Sequence, residues 1–549
     1  MTTSPGAHQS AGDSRGAVVP PWVTVAAALL GAGLTLLAAR ITHAGVGPDA
    51  VAYIAVANSL REGTGIAFWL EDPLVTWPPL WPMVIAAGMA ITGWRADVVG
   101  LVANSVLLAG CVFAAAHLAR RVLHSRRLAT VFVVAMGVSP LLIGLAVLVQ
   151  TEIAFTLVVL VVMLAVVVHF ETSRTVWLVV AGLVTAVGFY VRYQGLYVVP
   201  VFAVWIWLRQ LVGEPGAGSA LVAHDSLRGW FRSVGARRVL GSMSGGVLYS
   251  LCAVIPATLW VARNISLDEE PLGPRFPSDV GVLENALGAL TTVFKFVTSA
   301  PTVPRLPAAA LTLVAIVVAG WSLVRHAPQR QGRSLALVTL RAAAGWPGML
   351  ATFVVGFSAL MVLSRSMVGF DDLDIRLLAP CMVPVILLAL RYVEILSSWS
   401  PRLATLGRVL VVGWFSVALL VTLALVGPAN GVLEDYGYNA PRAVAASRSS
   451  ALEALPEGCV LYSNNAGDLY RSGIEAELSP RKVEYKSDQP TRQLEELVER
   501  VERGERACLL WVEYTDDPEN YSLEEMAEVL DLQRLASSDQ LTTYLLAPR

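Results

Sequence analysis

Apolar residues in this chain run on without a break rather than alternating. Trp22 to Ala39, Ile153 to Val168, Val247 to Ala262, Leu311 to Leu323 and Leu410 to Val426 contain no charged residue. A helix needs roughly 20 apolar residues to cross the hydrocarbon core of a bilayer. Only helices or closed barrels satisfy their backbone there, and unbroken runs read as helices. The pattern predicts an α-helical polytopic membrane protein of about eleven spans, near 22–41, 97–118, 128–146, 153–170, 176–191, 196–212, 239–262, 306–324, 343–363, 376–391 and 408–427. The first span is too long, and too poor in small-residue cleavage sites at its flanks, for a removable signal peptide, so it reads as a retained anchor. Two shorter stretches differ. Ile54 to Gly63 is amphipathic and too polar to span, and 79–93 is apolar but short and Pro-led, which predicts a juxtamembrane or re-entrant helix.

From about 430 the long apolar runs stop and charge rises. Cys459–Ser463, Lys482–Tyr485, Cys508–Tyr514 and Thr542–Leu546 read as strands; Asp468–Ala476, Pro490–Arg503 and Leu523–Leu532 read as helices. Alternating strands and helices predict a small α/β domain with a mostly parallel sheet. The expected organisation is a disordered segment 1–20, a membrane domain 21–429 with a cytoplasmic loop at 213–238, and an α/β domain 430–549.

Composition adds little beyond confirming the class: mean hydropathy is +0.61. The net charge of −2 says nothing about partners, but its distribution orients the chain. Arginines cluster at 120–127, 174, 209–238, 325–341 and 391–408, and positively charged short loops stay in the cytoplasm. That puts the amino terminus in the cytoplasm and the carboxy terminus outside the cell membrane. Cys111, Cys252 and Cys381 lie in spans. Cys459 and Cys508 each begin a predicted strand and can pair if those strands are neighbours.

The candidate chemistry gathers on the outer side. Asp49 and Tyr53, in Asp49-Ala50-Val51-Ala52-Tyr53, lie one helical turn apart; Asp49 is a general-base candidate or simply an N-cap after Pro48. Glu152 precedes a long uncharged span, as a second carboxylate facing Asp49 or as a solvated loop residue. Arg192, Arg263, Arg275, Arg365 and Arg376 break the positive-inside bias, and arginine suits a bidentate grip on phosphate. Salt bridges or snorkelling are the plainer readings. Asp371-Asp372-Leu373-Asp374 is acidic enough to raise a divalent metal, but a loop of aspartates alone does not make a site, and no metal or other cofactor is predicted. The chain has no P-loop, no GxGxxG after a strand, no HExxH and no Gly-x-Ser-x-Gly, which argues against nucleotide chemistry. No nucleic-acid partner is expected.

Taken in order, these features resemble the GT-C glycosyltransferases, specifically the group containing protein O-mannosyltransferases and lipid A aminoarabinose transferases. The resemblance rests on Asp49 to Tyr53, Pro78-Pro79-Leu80, Thr151-Glu152-Ile153-Ala154-Phe155 and Arg376 to Pro380. It implies a bacterial cell-envelope enzyme that moves a sugar from a polyprenyl-phosphate donor to an acceptor hydroxyl on a glycan, lipid or protein. Asp49 and Glu152 would be catalytic; Tyr53, Trp77, Arg192, Arg275 and Arg376 would bind substrate. Two positions depart from the family pattern: Ala50 where many members have a second acid, and Trp77 where aminoarabinose-type members have a lysine. The phosphate grip then falls to the outer arginines, Arg376 first, with Asp374 as a competing partner. The alternatives are a lipid or solute transporter without transferase activity, and an envelope scaffold whose tail is the active part.

Overall fold

The computed structural model describes every residue except 1–17, 69, 71, 214–226, 269, 326–334, 427–436 and 516. The expected disorder of the amino terminus, half of the 213–238 loop and the 429/430 boundary therefore lie outside the described residues.

The described chain is mostly helical, with a small sheet near its end. Ten helices are long and apolar enough to cross a membrane, from Pro21–Arg40 to Pro401–Val426. Val176–Val191 is shorter, at 16 residues. It still has to traverse the bundle: the chain leaves Glu152 along Glu152–Thr172 and returns to place Arg192 at 2.8 Å from the same glutamate. With it, eleven helices among the described residues run across the bundle, ten of them long enough by themselves to span a bilayer.

Local chemistry explains several details. The expected 128–146 span is two helices, Arg126–Gly137 and Pro140–Val147. Pro140 cannot continue the first, and the Ser139 hydroxyl accepts from Leu142 N to begin the second. Gly137 lets the bundle close here, since a Cβ would meet the Ala27 carbonyl oxygen at 2.4 Å. Val282–Thr298 is a helix that hydropathy alone did not single out; it packs on Arg305–Arg325 and on Ala379–Trp399.

The Ile54–Gly63 stretch belongs to a longer helix, Pro48–Glu62. It is not amphipathic over its first turns: Ala50 through Ala57 are all buried, because Leu80–Thr92, Ala96–Val122 and the tail helix Ala466–Leu469 cover it from different sides. Leu80–Thr92 is the short helix expected at 79–93.

The tail holds five strands: β1 Val460–Ser463, β2 Glu477–Leu478, β3 Ala507–Val512, β4 Leu530–Ser537 and β5 Leu541–Pro548, ordered β2-β1-β3-β5-β4. The sheet is mixed rather than mostly parallel: β1 runs parallel to β2 and β3, and β5 antiparallel to β3 and β4. The Leu523–Leu532 helix is corrected too. It stops at Ala527 and the chain enters β4. Leu523, Met526 and Leu530 keep a helical spacing across that break, so periodicity could not see it. Lys482–Tyr485 is a bridged turn rather than a strand, and Asp468–Ala476 shrinks to Ala466–Leu469 plus a 3-10 turn at Tyr470–Ser472. Leu494, Leu497 and Val501 of Gln493–Glu502 pack on Leu509 and Leu546. Cys459 and Cys508 are disulfide-bonded, since β1 and β3 are neighbours.

Candidate active site

The site begins with a short backbone pairing. Gly45 and Leu148 form a parallel bridge: Gly45 N donates to Val147 O (3.1 Å) and Val149 N to Gly45 O (3.0 Å). Each strand then starts a helix, and each helix carries a carboxylate four residues past the bridge, Asp49 on one and Glu152 on the other. Register alone therefore brings together two acids a hundred residues apart in sequence. Asn104, fully buried in Ala96–Val122, fixes one strand by donating to Leu148 O (2.7 Å) and Gln150 O (3.0 Å).

Arg376 joins the two acids. Its Nη2 donates to Asp49 Oδ2 at 2.7 Å, its Nε to Glu152 Oε1 at 3.1 Å and its Nη1 to Asp371 Oδ2 at 3.3 Å. Arg192 Nη1 sits 2.8 Å from the same Glu152 oxygen and donates to Thr151 Oγ1 at 3.1 Å. Glu152 Oε2 is buried and has no hydrogen-bond partner among the described residues. Tyr485, from the tail, donates its hydroxyl to Asp371 Oδ1 at 2.5 Å.

Electrostatics set the protonation preferences. Burial raises the Asp49 pKa above the ordinary carboxylate value; Arg376 pulls it down, and Asp371 and Glu152 push it up again, leaving it raised. The Asp49 side chain still keeps 29% of its surface open. Burial disfavours charge on Arg192 and Arg376, but the carboxylates outweigh it and hold both protonated. Tyr53 is buried one turn after Asp49, and burial, then Asp49, push its hydroxyl up.

The expected residues land unequally. Asp49, Glu152, Arg192 and Arg376 converge, with Tyr53 beside them. Asp49 is not an N-cap: Gly47 holds that position and no side chain caps the helix. Glu152 is not a solvated loop residue, being 1% exposed. Arg376 has three carboxylate partners; Asp374, expected to compete for the side chain, instead accepts from the backbone N of Arg376 (2.9 Å) and Leu377. Arg275 is not brought in: it is exposed and donates within its own turn to Leu272 O. Trp77 stacks on Phe68 at 5.9 Å and makes no bond to the charged cluster among those described. Arg263 donates to Leu74 O, and Arg365, 1% exposed, holds Ser278 and Asp279.

The aspartates of 371–374 diverge, one to Arg376 and Tyr485, one to solvent near Arg365, one to backbone amides. Among the described residues no three His, Cys, Asp or Glu side chains are grouped to share an ion. Two contributors escaped sequence reading. Asn104 carried a signal, being polar within an apolar span; Tyr485 carried none, because its role depends on a tail loop folding over a distant one. Asp371 meets Arg376 as the salt-bridge reading of the outer arginines expects.

A family model described as dolichyl-phosphate-mannose-protein mannosyltransferase matches residues 76–223. In structure the chain is similar to ArnT from Cupriavidus metallidurans in the apo state, at 13% identity and TM-score 0.55, over 94% of this chain and 97% of that one. The chain has the fold of the GT-C glycosyltransferases. The GT-C likeness extends to the oligosaccharyltransferase of Archaeoglobus fulgidus, at 10% identity and TM-score 0.52 over 95% of this chain and 74% of that one in its apo form. The same enzyme tethered to an acceptor peptide gives 9% identity and TM-score 0.50, with coverage of 95% and 74%. No curated protein matches in sequence.

Proposed function

We propose that this protein is a membrane glycosyltransferase that moves a sugar from a polyprenyl-phosphate donor to an acceptor hydroxyl at the outer face of the cell membrane. The observation that carries the reading is the meeting of Asp49, Glu152, Arg192 and Arg376 at one end of a GT-C bundle. The family description names a lipid-phosphate-linked sugar, and one structural neighbour was captured with an acceptor peptide; both support the same class of reaction.

In this reading the acceptor oxygen attacks the anomeric carbon as the carbon–oxygen bond to phosphate breaks. The bonding pair leaves with the lipid phosphate, and the acceptor proton passes to Asp49. A raised carboxylate pKa suits a base working near neutral pH. Arg376 and Arg192 hold positive charge where negative charge develops, already oriented by Glu152. The unpartnered Glu152 Oε2 is an acceptor for a sugar or acceptor hydroxyl. Direct displacement inverts the anomeric centre, and no nucleotide takes part. Tyr53 and Trp77 would shape the sugar's surroundings.

Charge supports an orientation with the site and the tail on the outer side. The arginine-rich turns lie at the end of the bundle opposite the site, and the tail with its disulfide lies on the site's side. A periplasmic-active reporter fused to the carboxy terminus should be active and one fused after Arg127 silent.

The deciding experiment incubates purified protein in lipid with a panel of radiolabelled polyprenyl-phosphate sugars. Release or transfer of label with at least one donor is expected. No turnover with any of them would overturn the reading.

A further inference from the structure

The charged cluster is short of positive charge. Three carboxylates, Asp49, Glu152 and Asp371, surround Arg376, and Arg192 shares Glu152. Two cations that are already neutralised are poor bait for an anionic phosphate. A further cation is needed within reach, and it should not be spent on a carboxylate of its own.

The chain has three lysines, Lys295, Lys482 and Lys486, and two of them fall in one turn of the tail that lies on the cluster. Lys482 pairs with Glu525 at 2.7 Å. Lys486 makes no ion pair among the described residues. Its placement is tightly set. The preceding Tyr485 bonds Asp371 at 2.5 Å, and the Lys486 ammonium lies 5.9 Å from the centre of that tyrosine ring. The backbone of this turn rests directly on the loop that leads to Arg376: a Cβ on Gly369 would meet Lys486 O at 2.4 Å. Lys486 has a φ of 54°, a conformation uncommon outside glycine and kept where the surroundings fix it. The turn is braced at its base by Thr491 N to Lys482 O and Glu484 N to Gln489 O. The turn is held at Arg481 and Lys482 to the Glu519–Asn520 segment of the tail and seats Lys486 on the loop that leads to Arg376.

We propose that Lys486 binds the phosphate of the polyprenyl-phosphate donor, so that the tail supplies one wall of the active site. The inference rests on the transferase reading. Tyr485 acts as a positioning residue, holding Asp371 against Arg376 and Lys486 beside it.

The test uses the full chain in lipid nanodiscs and measures binding of undecaprenyl phosphate against undecaprenol, which lacks the charge. Lys486→Met keeps the length of the side chain and removes the ammonium. Binding of undecaprenyl phosphate should weaken about tenfold or more, the scale of one charge-assisted contact, with undecaprenol unaffected. Lys486→Arg should recover most of the loss, and Lys482→Met should change nothing. Equal undecaprenyl phosphate binding in Lys486→Met and wild type overturns the inference and leaves the transferase reading standing; it would also be the result if the phosphate sensed by Lys486 belonged to an acceptor. A loss that Lys486→Arg does not recover means a packing role and overturns it too. A wild-type protein with no preference for the phosphate over the alcohol overturns both.

Discussion

Two polar clusters lie at the same end of the bundle, and they are built differently. Around Arg376, carboxylates outnumber arginines, Glu152 Oε2 is left without a hydrogen-bond partner among the described residues and Asp49 is partly open to solvent. Around Asp97 every group is used. Arg95 grips both oxygens of Asp97 (3.1 and 2.9 Å), Asn439 donates to Asp97 (3.3 Å) and to Ala44 O (3.1 Å), and Arg471 donates to the Asn439 carbonyl oxygen. Beside it Val46 pairs with Gly437, and Tyr438 N donates to Val46 O. This second cluster is a seam that fastens the tail to the chain just before Asp49. A satisfied network fixes structure; a surplus of charge with an open partner is what a reacting site keeps.

The comparison breaks most decisively at Asp49. Asp49→Asn keeps the shape and removes the base. Turnover should fall by about two to four orders of magnitude, while melting in lipid shows a folded protein; a rate near wild type would put the base elsewhere. The wild-type rate should also fall as pH drops through the Asp49 pKa, at a midpoint above the 3.8 of an ordinary aspartate. The same upward shift means that ionising Asp49 costs folding stability as pH climbs from the unfolded value to the folded one. The variant should therefore lose both the acid limb and that part of the pH dependence of melting.

Glu152→Gln tests the other side of the cluster. It leaves Arg192, 12% exposed, without its carboxylate. Stripping one partner from a buried pair costs about 3–5 kcal/mol, so here both melting temperature and donor binding should drop. Unchanged stability would mean that the pair is solvated.

Cys459→Ser acts on the region that the seam holds. The bond closes a loop of 49 residues, and the chain-entropy relation gives about 4 kcal/mol for that length. Protease sensitivity should rise in the tail and not in the helices. Alkylation of intact cells before reduction should leave Cys459 and Cys508 unlabelled in wild type; free thiols there would put the sheet in the cytoplasm.

The smallest effect is expected at the seam. Asn439→Ala unpairs groups on Asp97 and Arg471, worth about 1–3 kcal/mol. Stability should fall by that order with turnover per folded molecule kept. A large rate loss would show that the seam positions Asp49 rather than only fastening the tail.

Much of the site could be read in sequence because charge at the edge of an apolar run is costly and so rarely idle. That reasoning singled out Asp49, Glu152, Arg192 and Arg376. The same reasoning singled out Arg275, which carries the same local signal but lies in an exposed turn outside that cluster. It failed at β4, where apolar spacing continues across a helix end.

The sequence by itself determined the polytopic helical class, the approximate positions of the apolar helices and the candidate acids, because bilayer thickness and desolvation act on each stretch of chain separately. Only the tertiary structure decided which carboxylate meets which arginine, that Asn104 holds the Leu148–Gln150 segment in register beside Gly45, and that Tyr485 comes from the tail to Asp371. Those contacts join residues separated by up to hundreds of positions. Backbone register and the seat of one loop on another decide them, and neither leaves a trace in local composition.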